Sequence, residues 1–237
     1  MATYSGSDKR LDYLFQNGGG GGATCLYDSN KVDGLVASMA QANANLAEII
    51  TILEGGGFKI ANFDFKTGLS DSINNFTSTL TSATRDNTGV IFTAAGNMIN
   101  LPPVLFSVLR TYEIKVGAMN ARSFNNGALF GYNTYQNGNT HGFVYHTATS
   151  KWGVWDPSNG WRDTNISDTN YFANSTLKIE ICADRKWKLY KDGTLFFEPT
   201  GSFPMDGVIS FKIGGPQGNS FYNMTIEGLV ISGLADK

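Results

Sequence analysis

The sequence predicts a mainly β protein: two antiparallel sheets stacked as a sandwich, preceded by one short helix. Three observations predict it. From Phe58 onward, short segments alternate apolar and polar residues, which gives each strand one buried and one solvated face. The 237 residues include 28 Gly, 22 Asn and 13% aromatics, a stock of turn formers and strand formers. No helix-length pattern interrupts the strands, which excludes β–α–β architectures.

Residues 1–24 read as an attachment peptide with a glycine-rich joint. Leu11, Leu14 and Phe15 offer a short apolar face, and the run Gly18–Gly22 then forbids a packed element. Residues 25–57 read as an oligomerising helix. Val32, Leu35, Met39, Ala42, Leu46, Ile49 and Leu53 are spaced alternately three and four apart, an apolar seam of three heptads. Asp28 or Ser29 supplies the N-cap, and Gly55–Gly57 stops the helix. Val36 and Ile50 widen the stripe, so a trimeric bundle is expected rather than a dimer.

Residues 58–237 carry the strands. Thr111–Met119, Gly127–Tyr132, His141–His146, Lys151–Asp156, Val208–Gly214 and Phe221–Ser232 all fit short strands. In Ser175–Ala183, Leu177, Ile179 and Ile181 face one way while Lys178 and Glu180 face the other. Lys186–Glu198 holds two strands about Asp192-Gly193, the strongest hairpin signal in the chain.

Several stretches resemble the concanavalin A-like, laminin-G-type jelly roll. FDFKTGLSDS (Phe63–Ser72) is similar to that family's first strand and following loop, and NMINLP (Asn97–Pro102) to the strand closing its opening segment. WKLYKDGTLFFE (Trp187–Glu198) resembles its Asp-Gly hairpin, and Ile209–Ser232 resembles its ending. The block TYSGSDKRLDYLFQNGGG resembles the leader of tail and baseplate proteins of phages and prophages. That resemblance implies a virion protein assembled in the host cytoplasm, a homotrimer whose N-terminus meets other virion proteins.

Charge narrows the partners. A net charge of −2 with 16% charged residues argues against nucleic acid, which needs Lys/Arg clusters. No apolar run approaches the roughly 18 residues of a membrane span, and the opening residues lack the apolar region of a signal peptide. Cys25 and Cys182 are expected to be free thiols.

Catalytic patterns fail one after another. The E-x-D-x-E strand of glycosidases that share this type of fold is absent; Glu180 and Asp184 lie four apart at a strand end and read as solvated. His141 and His146 have no nucleophile elbow near them and read as exposed strand-end residues. No catalytic residue and no cofactor is therefore expected. Calcium stays a candidate through Asp71, Asp156, Asp163 and Asp168, whose spacing assigns no site.

Binding is better supported. KWGVWDPSNGWR (Lys151–Arg162) places Trp152, Trp155 and Trp161 among Asp156, Ser158 and Asn159. Indole faces stack on the apolar faces of sugar rings while Asp and Asn pair with hydroxyls. Trp152 alternates with Val154 and Asp156 and is expected in the core, leaving Trp155 and Trp161 for ligand. A Tyr/Asn-rich loop upstream adds Tyr135 and Asn137. The expected carbohydrate-binding set is Trp155, Trp161, Asp156, Asn159, Tyr135 and Asn137, and the expected partner a cell-wall or surface polysaccharide. The rivals are a purely structural virion or surface protein without glycan binding and a glycoside hydrolase.

Overall fold

The computed structural model describes residues 29–54, 58–94, 96–120, 127–134, 141–146, 148–156, 159–214 and 223–233, with helix side chains over 34–46. The chain divides into two compact units, Met1–Leu53 and Glu54–Lys237. In the first, helix α1 (Ser29–Glu54) covers the heptad pattern. Leu35, Val36, Met39 and Leu46 on that stripe are 54–61% exposed. Cys25 and the leader lie outside the described residues.

The second unit is the sandwich, whose described residues form fifteen strands, all paired antiparallel. They are β1 (Phe58–Asp64), β2 (Thr79–Thr81), β3 (Thr84–Asp86), β4 (Gly89–Phe92), β5 (Met98–Leu101), β6 (Arg110–Met119), β7 (Gly127–Thr134) and β8 (His141–His146), followed by β9 (Lys151–Asp156), β10 (Gly160–Asp163), β11 (Ser175–Ile181), β12 (Trp187–Lys191), β13 (Thr194–Phe197), β14 (Val208–Gly214) and β15 (Met224–Gly233). One sheet runs β13-β12-β11-β6-β15-β4-β3, with β1 following β4 along the same edge of β15. The other runs β10-β9-β8-β7-β14-β5-β2.

Alternation builds the core. Leu177, Ile179 and Ile181 of β11 and Tyr112, Ile114 and Val116 of β6 are buried from one sheet, while Lys178, Glu180 and Lys115 point away from it. Phe130, Phe143, Trp152, Val154 and Phe211 meet them from the other. Phe106, Tyr112, Phe130, Tyr132 and Phe211 stack at 4.2–5.9 Å between centroids. Trp152 is fully buried, as its alternation required, and its indole N–H donates to the Asp168 carbonyl at 2.9 Å. The β12–β13 hairpin turns through Asp192 and Gly193, both at positive φ (47° and 81°), the geometry that Asp-Gly supplies cheaply.

One short loop is held by a carboxylate. Asp71 accepts the backbone N–H groups of Ile73, Asn74 and Phe76 at 2.6–3.0 Å. Burial would push its acidity down, but those bonds outweigh it and hold the carboxyl below its usual pKa of 3.8.

Candidate functional site

The seven-stranded sheet presents an outer face whose composition follows from strand register. Directly paired residues in an antiparallel sheet point to the same side. Phe211, Tyr132, Phe143 and Val154 face the core, so their neighbours along each strand face out. Following partners from strand to strand gives one row across the whole sheet: Trp161, Trp155, Gly142, Gly131, Lys212, Asn100 and Thr79. Beside it lie Asn133 paired with Ser210, and on the other flank Gly153 paired with Val144.

Trp155 is the exposed aromatic of this row, at 38%. Trp161 behaves differently. Its ring folds back over Gly153, where a methyl group would sit 2.6 Å from the indole, and lies 4.8 Å from the His146 ring at 30°. Glycine is required there because the indole occupies the space of a side chain. At Gly142 a methyl group would come 2.1 Å from the Phe130 carbonyl oxygen, so this position too admits only glycine. Gly142 and Gly131 thus leave a floor without side chains between Trp155 and Lys212.

Lys212 closes the far side. It is half-buried, and burial pulls its ammonium below the usual lysine pKa. No described carboxylate pairs with it. Ser210, two residues earlier on the same face, has a buried hydroxyl without a hydrogen-bond partner among the described residues. Asn100 donates to Thr81 Oγ1 at 2.9 Å, which fixes its side chain along the neighbouring strand.

Beneath the tryptophan end sits a polar cluster, and here the structure corrects two expectations. Asp156 is fully buried, so it cannot meet a sugar hydroxyl. Its alternation with Trp155 turns it inward, where Arg162 Nη2 and His141 Nδ1 each lie 3.5 Å from its carboxylate and Asn159 Nδ2 donates at 2.5 Å. His141, expected at the surface, is also fully buried and stacks on Tyr132 at 4.9 Å. Burial holds its imidazole below the usual pKa, against the opposing pull of Asp156. Arg162 bonds the Thr200 carbonyl and covers the Phe203 ring at 4.3 Å. Asn159 donates to Ser202 O at 3.1 Å, and the Tyr132 hydroxyl to Pro204 O at 2.7 Å. The cluster therefore clamps residues 200–204 against β7–β10 and fixes the hairpin that carries Trp155 and Trp161.

Of the expected binding residues, the structure places Trp155 and Trp161 side by side on the outer face, keeps Asn159 at the rim engaged with the clamp, and buries Asp156. Tyr135 and Asn137 lie outside the described residues. Lys212, Gly131, Gly142, Gly153 and Ser210 were missed. Their signal was the outward register of F-G-Y, H-G-F, W-G-V and F-K-I, which is readable only once strand order is known.

The other candidates are spread out. Glu180 accepts the Tyr190 hydroxyl at 3.1 Å, and Asp184 pairs with Lys186 at 2.7 Å. Asp163 pairs with Lys151 at 3.2 Å, and Asp168 accepts the Asn170 N–H at 2.9 Å. Among the described residues, no three His, Cys, Asp or Glu side chains converge as a ligand set for a metal. Cys182 is a free thiol whose pKa burial raises.

No family model and no curated protein sequence matches the chain. Solved structures share its fold. Domain 4 of AbnA, an extracellular arabinanase from Geobacillus stearothermophilus solved with arabinotriose, is 19% identical with a TM-score of 0.54; the match covers 76% of this chain and 94% of that one. The sialidase of Trypanosoma rangeli is 14% identical with a TM-score of 0.58, covering 74% of this chain. The match spans 30% of the sialidase chain. At these identities the likeness is one of fold: an antiparallel β-sandwich of jelly-roll type.

Proposed function

We propose that this chain is a non-catalytic saccharide-binding protein of a phage tail or baseplate, and that the outer face of its seven-stranded sheet is the binding surface. The observation that carries the reading is Trp155, 38% exposed beside a floor kept bare by Gly142 and Gly131. An exposed indole next to an open strip offers a sugar ring an apolar platform, with Asn133 and Asn100 on the same face to meet its hydroxyls. The fold neighbour solved with arabinotriose supports a saccharide as the ligand class. The virion assignment is supported by the leader's resemblance to phage tail proteins.

Assembly through α1 completes the reading. Its apolar stripe is exposed along Leu35, Val36, Met39 and Leu46, which suits packing against two further copies. Three shallow sites on one trimer gain avidity through effective concentration.

A glycan and host cell-wall array tests the binding. Full-length protein should bind, and Trp155→Ala with Trp161→Ala should abolish binding while leaving the thermal midpoint within a few degrees. Unchanged binding in that variant would move the site off these tryptophans, and no binding by the full-length protein would favour a purely structural role. Turnover of a cell-wall polysaccharide that Glu180→Gln abolishes would replace the reading with a hydrolase. Light scattering on the full-length protein should give three chains; a monomer would refute the assembly.

A further inference from the structure

The polar end of the binding row carries a charge that no described carboxylate faces. Lys212 has Gly131 and Asn100 as direct cross-strand neighbours, and Ser210 lies two residues earlier on the same face. None of these bears a negative charge. The other lysine on this face, Lys151, is already taken by Asp163 at 3.2 Å and Asn165 at 3.0 Å. Among the described residues no carboxylate meets this half-buried ammonium, and a single hydroxyl such as Ser210 cannot neutralise it.

We infer that the saccharide taken by this face is acidic: a linear oligosaccharide lying across the strands, with a ring carboxylate on Lys212 and a second ring on Trp155. This assignment rests on saccharide binding at the same face. Its geometry comes from the sheet. Trp155 and Lys212 stand three strands apart, about 14 Å at the usual spacing of roughly 4.8 Å. That exceeds one sugar ring, so a ligand touching both is a chain, and the glycine floor between them lets it lie close. One ammonium matches the single charge of a carboxylate. A phosphate monoester would bring a second charge, and no described arginine fork faces it. A carboxylate bonded to a ring carbon also lies level with a ring resting on the floor. Asn133, across from Ser210 on the same face, then stands beside the carboxylate.

The test uses full-length protein on an array holding neutral, carboxylated and phosphorylated glycans, followed by calorimetry on the best binder. Carboxylated glycans should dominate, and reducing the carboxyl to an alcohol should weaken binding about tenfold. Lys212→Met, which keeps the stem and removes the charge, should weaken the native ligand by a similar factor and become indifferent to carboxyl reduction. The reduction arm needs only wild-type protein, so it decides the matter even if the variant folds poorly. Binders that are neutral or only phosphorylated, or carboxylated binders unaffected by Lys212→Met, overturn the acidic assignment while the saccharide reading stands. Binding to no glycan on the array overturns the saccharide reading itself.

Discussion

The two outer faces of the sandwich are built by the same alternation yet end in opposite electrostatic states. On the eight-stranded sheet, charges answer one another. Lys66 meets Glu227 at 2.8 Å, Lys178 lies 4.9 Å over the Tyr190 ring, and Tyr190 donates to Glu180. Burial, with Glu180 beside it, pushes the Tyr190 pKa up to about 12. A depression of 420 Å³ on that face is lined by Asp64, Lys66, Glu113, Lys115 and Glu227, carboxylates and ammonium groups interspersed. On the seven-stranded sheet the row is aromatic at one end, bare in the middle and singly cationic at the other. A surface that satisfies itself with paired ions asks for nothing but water. A surface with an exposed indole, a stripped floor and an ammonium that no described carboxylate meets is the one we propose takes a partner.

That contrast can be broken in several ways. The largest effect is expected from Trp155→Ala with Trp161→Ala, which should weaken saccharide binding at least about 100-fold, roughly 2.7 kcal/mol. Tyr190→Ala on the opposite face should leave binding unchanged. Equal losses from both would show that the face does not decide binding.

Glycine substitutions come next. Gly142→Ala forces a methyl group against the Phe130 carbonyl and should cost about 1–3 kcal/mol in denaturant unfolding. Gly117→Ala on β6 meets only the flexible end of Glu227, at 2.9 Å, and should stay within about 0.5 kcal/mol. A reversed order would refute the bare floor as a built feature.

Acidification should act through the clamp beneath the tryptophans. His141 is held neutral in the fold, below its unfolded pKa of 6.5. Its contribution is therefore complete above pH 6.5 and declines as pH falls from there toward the folded pKa. The slope is at most about 1.4 kcal/mol per pH unit. Urea unfolding between pH 7.5 and 5 should show the decline, and His141→Gln should flatten it. Asp71, with its lowered pKa, gives way only below about pH 4, so the two groups separate. A decline of equal slope in His141→Gln would assign the effect elsewhere.

The smallest effect is expected on the paired face. Glu227→Gln removes the partner of Lys66, both partly exposed, and should cost less than about 1 kcal/mol. A larger loss would mean that this face is held together by its charges rather than merely decorated with them.

Much of the fold was legible because its signal is local. His141–His146, Lys151–Asp156 and Val208–Gly214 are strands over the stretches their alternation marked. The short strands β2 and β3 escaped because three residues are too few for an alternation to show: Thr79–Thr81 turns only Leu80 to the core, and Thr84–Asp86 is wholly exposed. Asp156 and His141 misled because a polar residue at a strand end reads as solvated. Asp156 is enclosed by His141, Arg162 and Asn159, and the last two reach Thr200 and Ser202, far along the chain. Lys212 was illegible for a further reason. Its isolation depends on which residues stand across from it, and that is set by strand order rather than by any neighbour in the chain.

The central claim is best tested by nuclear magnetic resonance with the strongest array binder. The indole N–H groups of Trp155 and Trp161 should shift on titration together with the backbone amides of Gly142, Gly131 and Lys212. The core indoles of Trp152 and Trp187 should stay in place. Shifts gathered instead around Lys66, Glu113 and Glu227, or no shift at either outer indole under saturating ligand, would contradict the account.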